Sequence, residues 1–275
     1  MFSNFMMNAW IVATIIAVVA GTTGFFVVLR GNSFAAHALP LGTFPGAAAA
    51  AFAGVNELFG LVVFAALGVA GISQLGRRQR NDVATALTLI FLLGLGTLFL
   101  SLSREYSQGV FALLFGDVLG VSRAEILPVA VISAIAVAAT ALLFRPLLLS
   151  AVSADLGAAR GVAARRMEFL FLSILGLATA MALPVVGALL VFSLMVGPAS
   201  AARLSVSRPL PALLLSVAIA LVIVWVSIAL SYLTNWPVGF FVGALAACSY
   251  GAGRGFQWLA HKAQVPSSST NALVG

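Results

Sequence analysis

The chain has 275 residues, 62% of them hydrophobic and only 8% charged, with a formal charge of +7 and a mean hydropathy of +1.15. A soluble fold of this length has too little interior to hide so much apolar surface, so the composition excludes a water-soluble protein and surrounds the chain with lipid. The arginine surplus does not point to nucleic acid either, because the arginines are scattered among short connecting segments rather than gathered on one face.

Apolar runs of roughly 20 residues, the length needed to cross a bilayer, recur roughly nine times. They cover 8–29, 34–52, 58–75, 83–102, 126–144, 168–183, 185–202, 210–232 and 237–253. The second, sixth and seventh are short or broken by proline, so eight spans is the alternative count. None alternates apolar and polar residues as a barrel strand would. The expectation is an all-α, polytopic bundle of about eight or nine helices: one membrane domain over 1–262 and a polar, disordered tail over 263–275.

The first run follows MFSNFMMN, which has no basic side chain, and Arg30 comes after the run instead of before it. It reads as a retained span and not as a signal peptide. The second run, with HALPLGTFPG at its centre, holds His37, Pro40, Pro45 and Gly46. Each proline removes a donor and frees a carbonyl. Such breaks survive in lipid only where protein or a water-filled cavity satisfies them. They read equally as packing kinks or as the lining of a transport path, and Gly197 and Pro198 repeat the theme in MVGPAS. His37 is the one histidine in a predicted span, and two readings fit it: a ligand in that path, or a structural histidine bonded to a backbone carbonyl. Glu57, at the end of the second span beside Asn56, reads as an interfacial surface charge, or as a weak attractor of cations at the mouth.

Ala47 to Ala51, Gly94 and Gly96 are expected to let helices approach closely. Asp117, in LFGD, is expected to cap a turn or orient the loop that holds Arg104 and Glu105. Met195 and the single cysteine, Cys248, are expected in the packed core, and one cysteine excludes an intrachain disulfide. No phosphate-binding GxxxxGK[ST] loop, HExxH or cysteine cluster is present, and no nucleophile–base pair for an intramembrane enzyme.

Between the fifth and sixth runs lies DLGAARGVAARR, residues 155–166. Ser153 or Asp155 can cap a short helix, Leu156, Ala158, Ala159 and Arg160 favour it, and Gly161 can end it in the left-handed conformation before Val162. The plain reading is a capped connecting loop with topogenic arginines. The other is a docking helix for a cytoplasmic partner. Orientation follows from the basic residues. With nine spans and the N-terminus outside, Arg30, Arg77, Arg78, Arg80, Arg145, Arg160, Arg165, Arg166, Arg203, Arg208, Arg254 and Lys262 share one side, leaving Arg104 and Arg123 on the other. That bias makes the first side cytoplasmic.

Several segments carry a resemblance in the right order along the chain. VLRGNSF (28–34), FPGAAAA (44–50), LLFGDVLGVS (113–122), VVGALLVFSLMVGPASAARL (185–204) and NWPVGFFVG (235–243) are similar to segments of the ABC-3 family of zinc, manganese and iron permeases. Asp155, Ala159 and Gly161-Val162 resemble the coupling loop of ABC importer permeases. The resemblance implies the membrane subunit of an importer in a bacterial cytoplasmic membrane. Asp155, Leu156, Ala158, Ala159, Arg160, Gly161 and Val162 would then face an ATP-binding subunit. ATP would bind that subunit, with no cofactor on this chain. A second copy, or a related permease, would complete the pathway, and an extracytoplasmic binding protein would deliver the metal ion.

The family's second span usually holds an Asp and, four residues on, a His. Aligned on Pro45-Gly46, this chain has His37 and Leu41 at those places, and Pro40 where a serine is common. A permease for a metal chelate therefore stays open as an alternative. A stand-alone secondary transporter fits less well, because the spans hold almost no carboxylates for ion coupling.

Overall fold

The computed structural model describes residues 4–76, 81–102, 113–116, 118 and 120–264. Every regular element among them is helical, as lipid demands of a backbone that must satisfy its own polar groups. The elements are α1 (Asn4–Arg30), α2 (Ser33–Thr43), α3 (Pro45–Ala53), α4 (Glu57–Leu75), α5 (Asn81–Leu102), α6 (Arg123–Leu142), α7 (Phe144–Val152), α8 (Ala154–Ala159), α9 (Ala164–Val186), α10 (Ala188–Ser205), α11 (Pro209–Thr234) and α12 (Val238–Gln264). Residues 265–275, most of the expected tail, lie outside the described residues.

Each of the nine apolar runs coincides with one helix, except the second, which is α2 plus α3. Six helices (α1, α4, α5, α6, α9 and α11) are by themselves long and apolar enough to cross a membrane. α10 is shorter, and α12 is diluted by glycines, a tyrosine and Arg254. The second run breaks where the sequence says. Pro45 opens α3 as its first residue, a position whose N–H would be unpaired in any helix. Pro40 sits inside α2 and is buried.

Contacts along the helices fix their directions. Ser216 Oγ donates to the carbonyl of Gly21 at 2.9 Å, and Trp225 Nε1 to Thr14 Oγ1 at 3.0 Å, so α11 runs against α1. Gly197 faces Ala246 and Gly253 faces Ala201, so α10 and α12 run together. α1 and α9 form the centre. In each, 72% of the apolar window is buried, against 22% for α6. Phe25, Phe26, Phe171 and Met195 are fully buried there. Met195 is core, as expected, but Cys248 is exposed on the protomer surface. On α12 the apolar residues do not all turn inward, because a lipid-facing helix has no reason to sort them.

The small residues divide. Ala47 and Ala48 are fully buried, Gly46 lies directly against Gly60 of α4, and Gly96 packs on Pro45. Gly94 has nothing within 4 Å of a side chain placed there, so it joins no helix contact. The turn ending in Gly116 seats on the break between α9 and α10 at Gly187. Both glycines have positive φ, 79° and 87°; a β-carbon on Gly187 would run into the backbone of Gly116, and one on Gly116 into the backbone of Val185 and Val186. Asp117, Arg104 and Glu105 lie outside the described residues.

The connection between the fifth and sixth runs, expected to hold one short helix, holds two, α7 and α8. α7 begins where the chain bends at Leu143, with Pro146 in its first turn, a place where a missing N–H costs little. It buries Leu147 completely and stands α8 clear of the bundle.

Candidate functional site

α8 forms a knob at one end of the bundle. Its start is set by Ser153, not Asp155: Ser153 is extended, and its Oγ accepts from the Leu156 N–H at 3.3 Å. Its end is set by Gly161, in the left-handed region at φ 75°. The Val162 N–H reaches back to the carbonyl of Gly157 at 2.9 Å, closing the turn. Asp155, Leu156, Ala158, Ala159, Arg160 and Gly161 are all exposed, and Val162 is half-buried. Leu156 is 60% exposed and Val152, at the end of α7, 72%. An apolar patch between an acid and a base, held out on a capped helix, has the chemical make-up that a protein-docking surface needs.

The second candidate region is α2. It packs among α4, α5, α9 and α10. His37 lies near the knob end of α2, and its ring meets Phe192 of α10 edge-on, with centroids 5.1 Å apart. Its Nδ1 is buried with no hydrogen-bond partner, so no carbonyl bond anchors the ring there. Leu41, one turn on, is half-buried. Pro45 has no N–H to give the Leu41 carbonyl, and Gly46 behind it is taken up by Gly60 packing. On α10, Gly197 packs on Ala246 and Pro198 is buried.

Glu57 is exposed at the opposite end, in the first turn of α4. The helix there is capped by Asn56, whose Oδ1 accepts from the Leu58 N–H at 2.8 Å. From His37 to the end of α3 is 16 residues, roughly 24 Å of helix rise. The structure therefore does not bring Glu57 and His37 together. Among the described residues no three His, Cys, Asp or Glu side chains converge as metal ligands. The imidazole of His37 is the one candidate donor on α2.

A third constellation escaped the sequence reading, which counted Arg30 only as a topology marker. The Arg30 side chain is 6% exposed and pairs with Glu168 of α9, Nη2 to Oε2, at 2.7 Å. Arg30 Nη1 also donates to Ser150 Oγ at 2.8 Å and to the Leu147 carbonyl at 3.3 Å, both on α7. Asn32 Nδ2 donates to the other carboxylate oxygen of Glu168 at 2.7 Å. The guanidinium lies over Phe171, 5.4 Å from the ring centre, and Phe26 joins Phe144 and Phe171 beneath it. The available signal was a carboxylate, Glu168, at the head of an apolar run.

The sequence profile of the ABC 3 transport family matches residues 2–251. The chain belongs to the ABC 3 transport family. It is the membrane-spanning permease subunit of an ABC importer. Within the family, it is 29% identical over 238 residues to the manganese import system permease protein ScaB of Streptococcus parasanguinis, covering 86% of this chain and 85% of that one. It is 27% identical over 239 residues to the manganese transport system membrane protein MntC of Listeria monocytogenes, with the same shares of the two chains. Its fold is similar to that of PsaBC from Streptococcus pneumoniae, solved in complex with Fab, with a TM-score of 0.82, 25% identity and 91% of each chain covered. This family membership bears out the resemblance read from the VLRG, FPG and LFGD segments.

Proposed function

We propose that this ABC 3 permease moves a divalent metal ion into the cell, with ATP bound and hydrolysed by a separate subunit docked on α8. The observation that carries the reading is the knob itself: a helix capped at both ends, exposing Leu156 and Val152, with nothing among the described residues to cover them. The arginine bias puts that knob, and the end of α12, on the cytoplasmic side and the N-terminus outside. The names of the relatives favour manganese among manganese, iron and zinc. An extracytoplasmic binding protein would deliver the ion at the far end. A second permease, identical or related, would bring another copy of α2, so that two imidazoles replace the expected Asp–His pair. Two neutral ligands hold a divalent ion weakly, which suits a site that must release what it binds.

In the test, the chain is co-expressed with the ATP-binding subunit of its transporter. Gly161→Asp is expected to leave the permease folded and to abolish co-purification. An intact complex in that variant would remove the docking assignment. Leu41 in place of a second ligand favours one further reading, a metal chelate as cargo. ATP hydrolysis by the reconstituted complex, stimulated by free manganese or instead by chelated metal, separates the two.

A further inference from the structure

We propose that the Arg30–Glu168 pair is the joint that carries movement of the α8 knob into α2, the helix that bears His37. The inference rests on the docking reading above and adds to it the residues that transmit the motion. Four helices meet at this one ion pair. Arg30 is the last residue of α1, Glu168 lies in the first turns of α9, Ser150 and Leu147 belong to α7, and Asn32 is the residue on which α2 begins. α7 leads through the single residue Ser153 into α8, so whatever displaces the knob displaces Ser150.

The chemistry suits a stiff connection. The guanidinium is planar, and its fork can hold a carboxylate on one nitrogen and α7 on the other at once, which a lysine ammonium cannot do in the same geometry. Both carboxylate oxygens of Glu168 are engaged, one by Arg30 and one by Asn32, at 2.7 Å each. These are charge-assisted bonds, roughly twice as strong as neutral ones. Among the fully buried side-chain polar atoms of this cluster, Arg30 Nε alone lacks a partner. From Asn32 to His37 is five residues of continuous helix, about 7.5 Å of rise. A shift of Glu168 therefore arrives at the imidazole through one turn and a half of α2. Arg30, Asn32 and Glu168 are positioning residues in this account, and none touches the cargo.

The experiment uses the complete permease–ATPase complex in lipid nanodiscs and needs no knowledge of the cargo. Amide hydrogen exchange is followed over 153–162 and over 33–43, with and without a non-hydrolysable ATP analogue. In the parent both segments are expected to respond. In Glu168→Gln the 153–162 response is expected to stay at the parent level. The 33–43 response is expected to fall about tenfold, the factor for losing one charged hydrogen bond's worth of coupling. Asn32→Ala keeps the ion pair and is expected to lower the 33–43 response severalfold, and it decides the matter if Glu168→Gln does not assemble. A merely structural role would lower both responses together. A full 33–43 response in these variants, or none in the parent beside a normal response over 153–162, overturns the joint. Failure of the docking reading looks different: 153–162 is then insensitive to ATP in the parent itself, and the joint falls with it.

Discussion

The two ends of the bundle are held by different physics. At the knob end α1, α2, α7 and α9 converge on one charged pair and its hydrogen bonds. At the far end one closure is a matter of shape: Gly116 seats against the break at Gly187 with no room for a side chain. Beside that closure lies a cavity of about 830 Å³, lined by Phe115, Val186, Leu190, Tyr232 and Trp236 among others. Shape complementarity tolerates no added atom but exerts no pull over distance. An ion pair tolerates small displacement and keeps pulling. The far end is glycine-packed, and the knob end is charge-linked.

Breaking the far end is expected to cost most. Gly187→Val forces a branched side chain to positive φ and into the Gly116 backbone, about 3–5 kcal/mol when strain and overpacking are combined. Detergent-solubilised protein should show a sharply lowered unfolding temperature or fail to elute as a single species; a normal profile would mean that the turn yields easily. At the knob end Arg30→Ala is expected to cost less, about 2–3 kcal/mol, because Glu168 is still 27% exposed and can recover some water. Glu168→Ala should cost at least as much, because the guanidinium it leaves without a counter-charge is only 6% exposed, and the double variant clearly less than the sum of the two, since the pair is lost only once. Additive losses in thermal unfolding would show the two side chains acting independently. The smallest effect sharpens the contrast. Gly94→Ala, in open space on α5, should be neutral or stabilising by up to about 1 kcal/mol, whereas its neighbour Gly96, against Pro45, should not accept alanine without loss.

That last pair shows where sequence reading stops. Gly94 and Gly96 look alike in the sequence, and only the rotation of α5 about its axis, set by contacts with α2, α3 and α4, separates them. The same holds for Met195 and Cys248, both expected in the core and only the first found there. Hydropathy placed the spans well because lipid makes a long apolar run mean one thing. The break at Pro45 and the turn at Gly161 were legible because each depends on local backbone chemistry. α7 was not, because residues 145–152 read as part of the connection after the fifth run and the bend at Leu143 has no residue type of its own. Arg30 and Glu168 are 138 residues apart, and nothing along the chain announces that they meet. His37 could be singled out, but its edge contact with Phe192 and its unbonded Nδ1 come from helix packing alone.

The exposure of Cys248 on α12 has a practical side. It is the sole thiol in the protein, so a maleimide dye modifies one known position on an unaltered chain. Its reactivity, compared between the isolated subunit and the assembled transporter, reports whether that flank of α12 faces lipid or another polypeptide, with no engineered residue to complicate the answer.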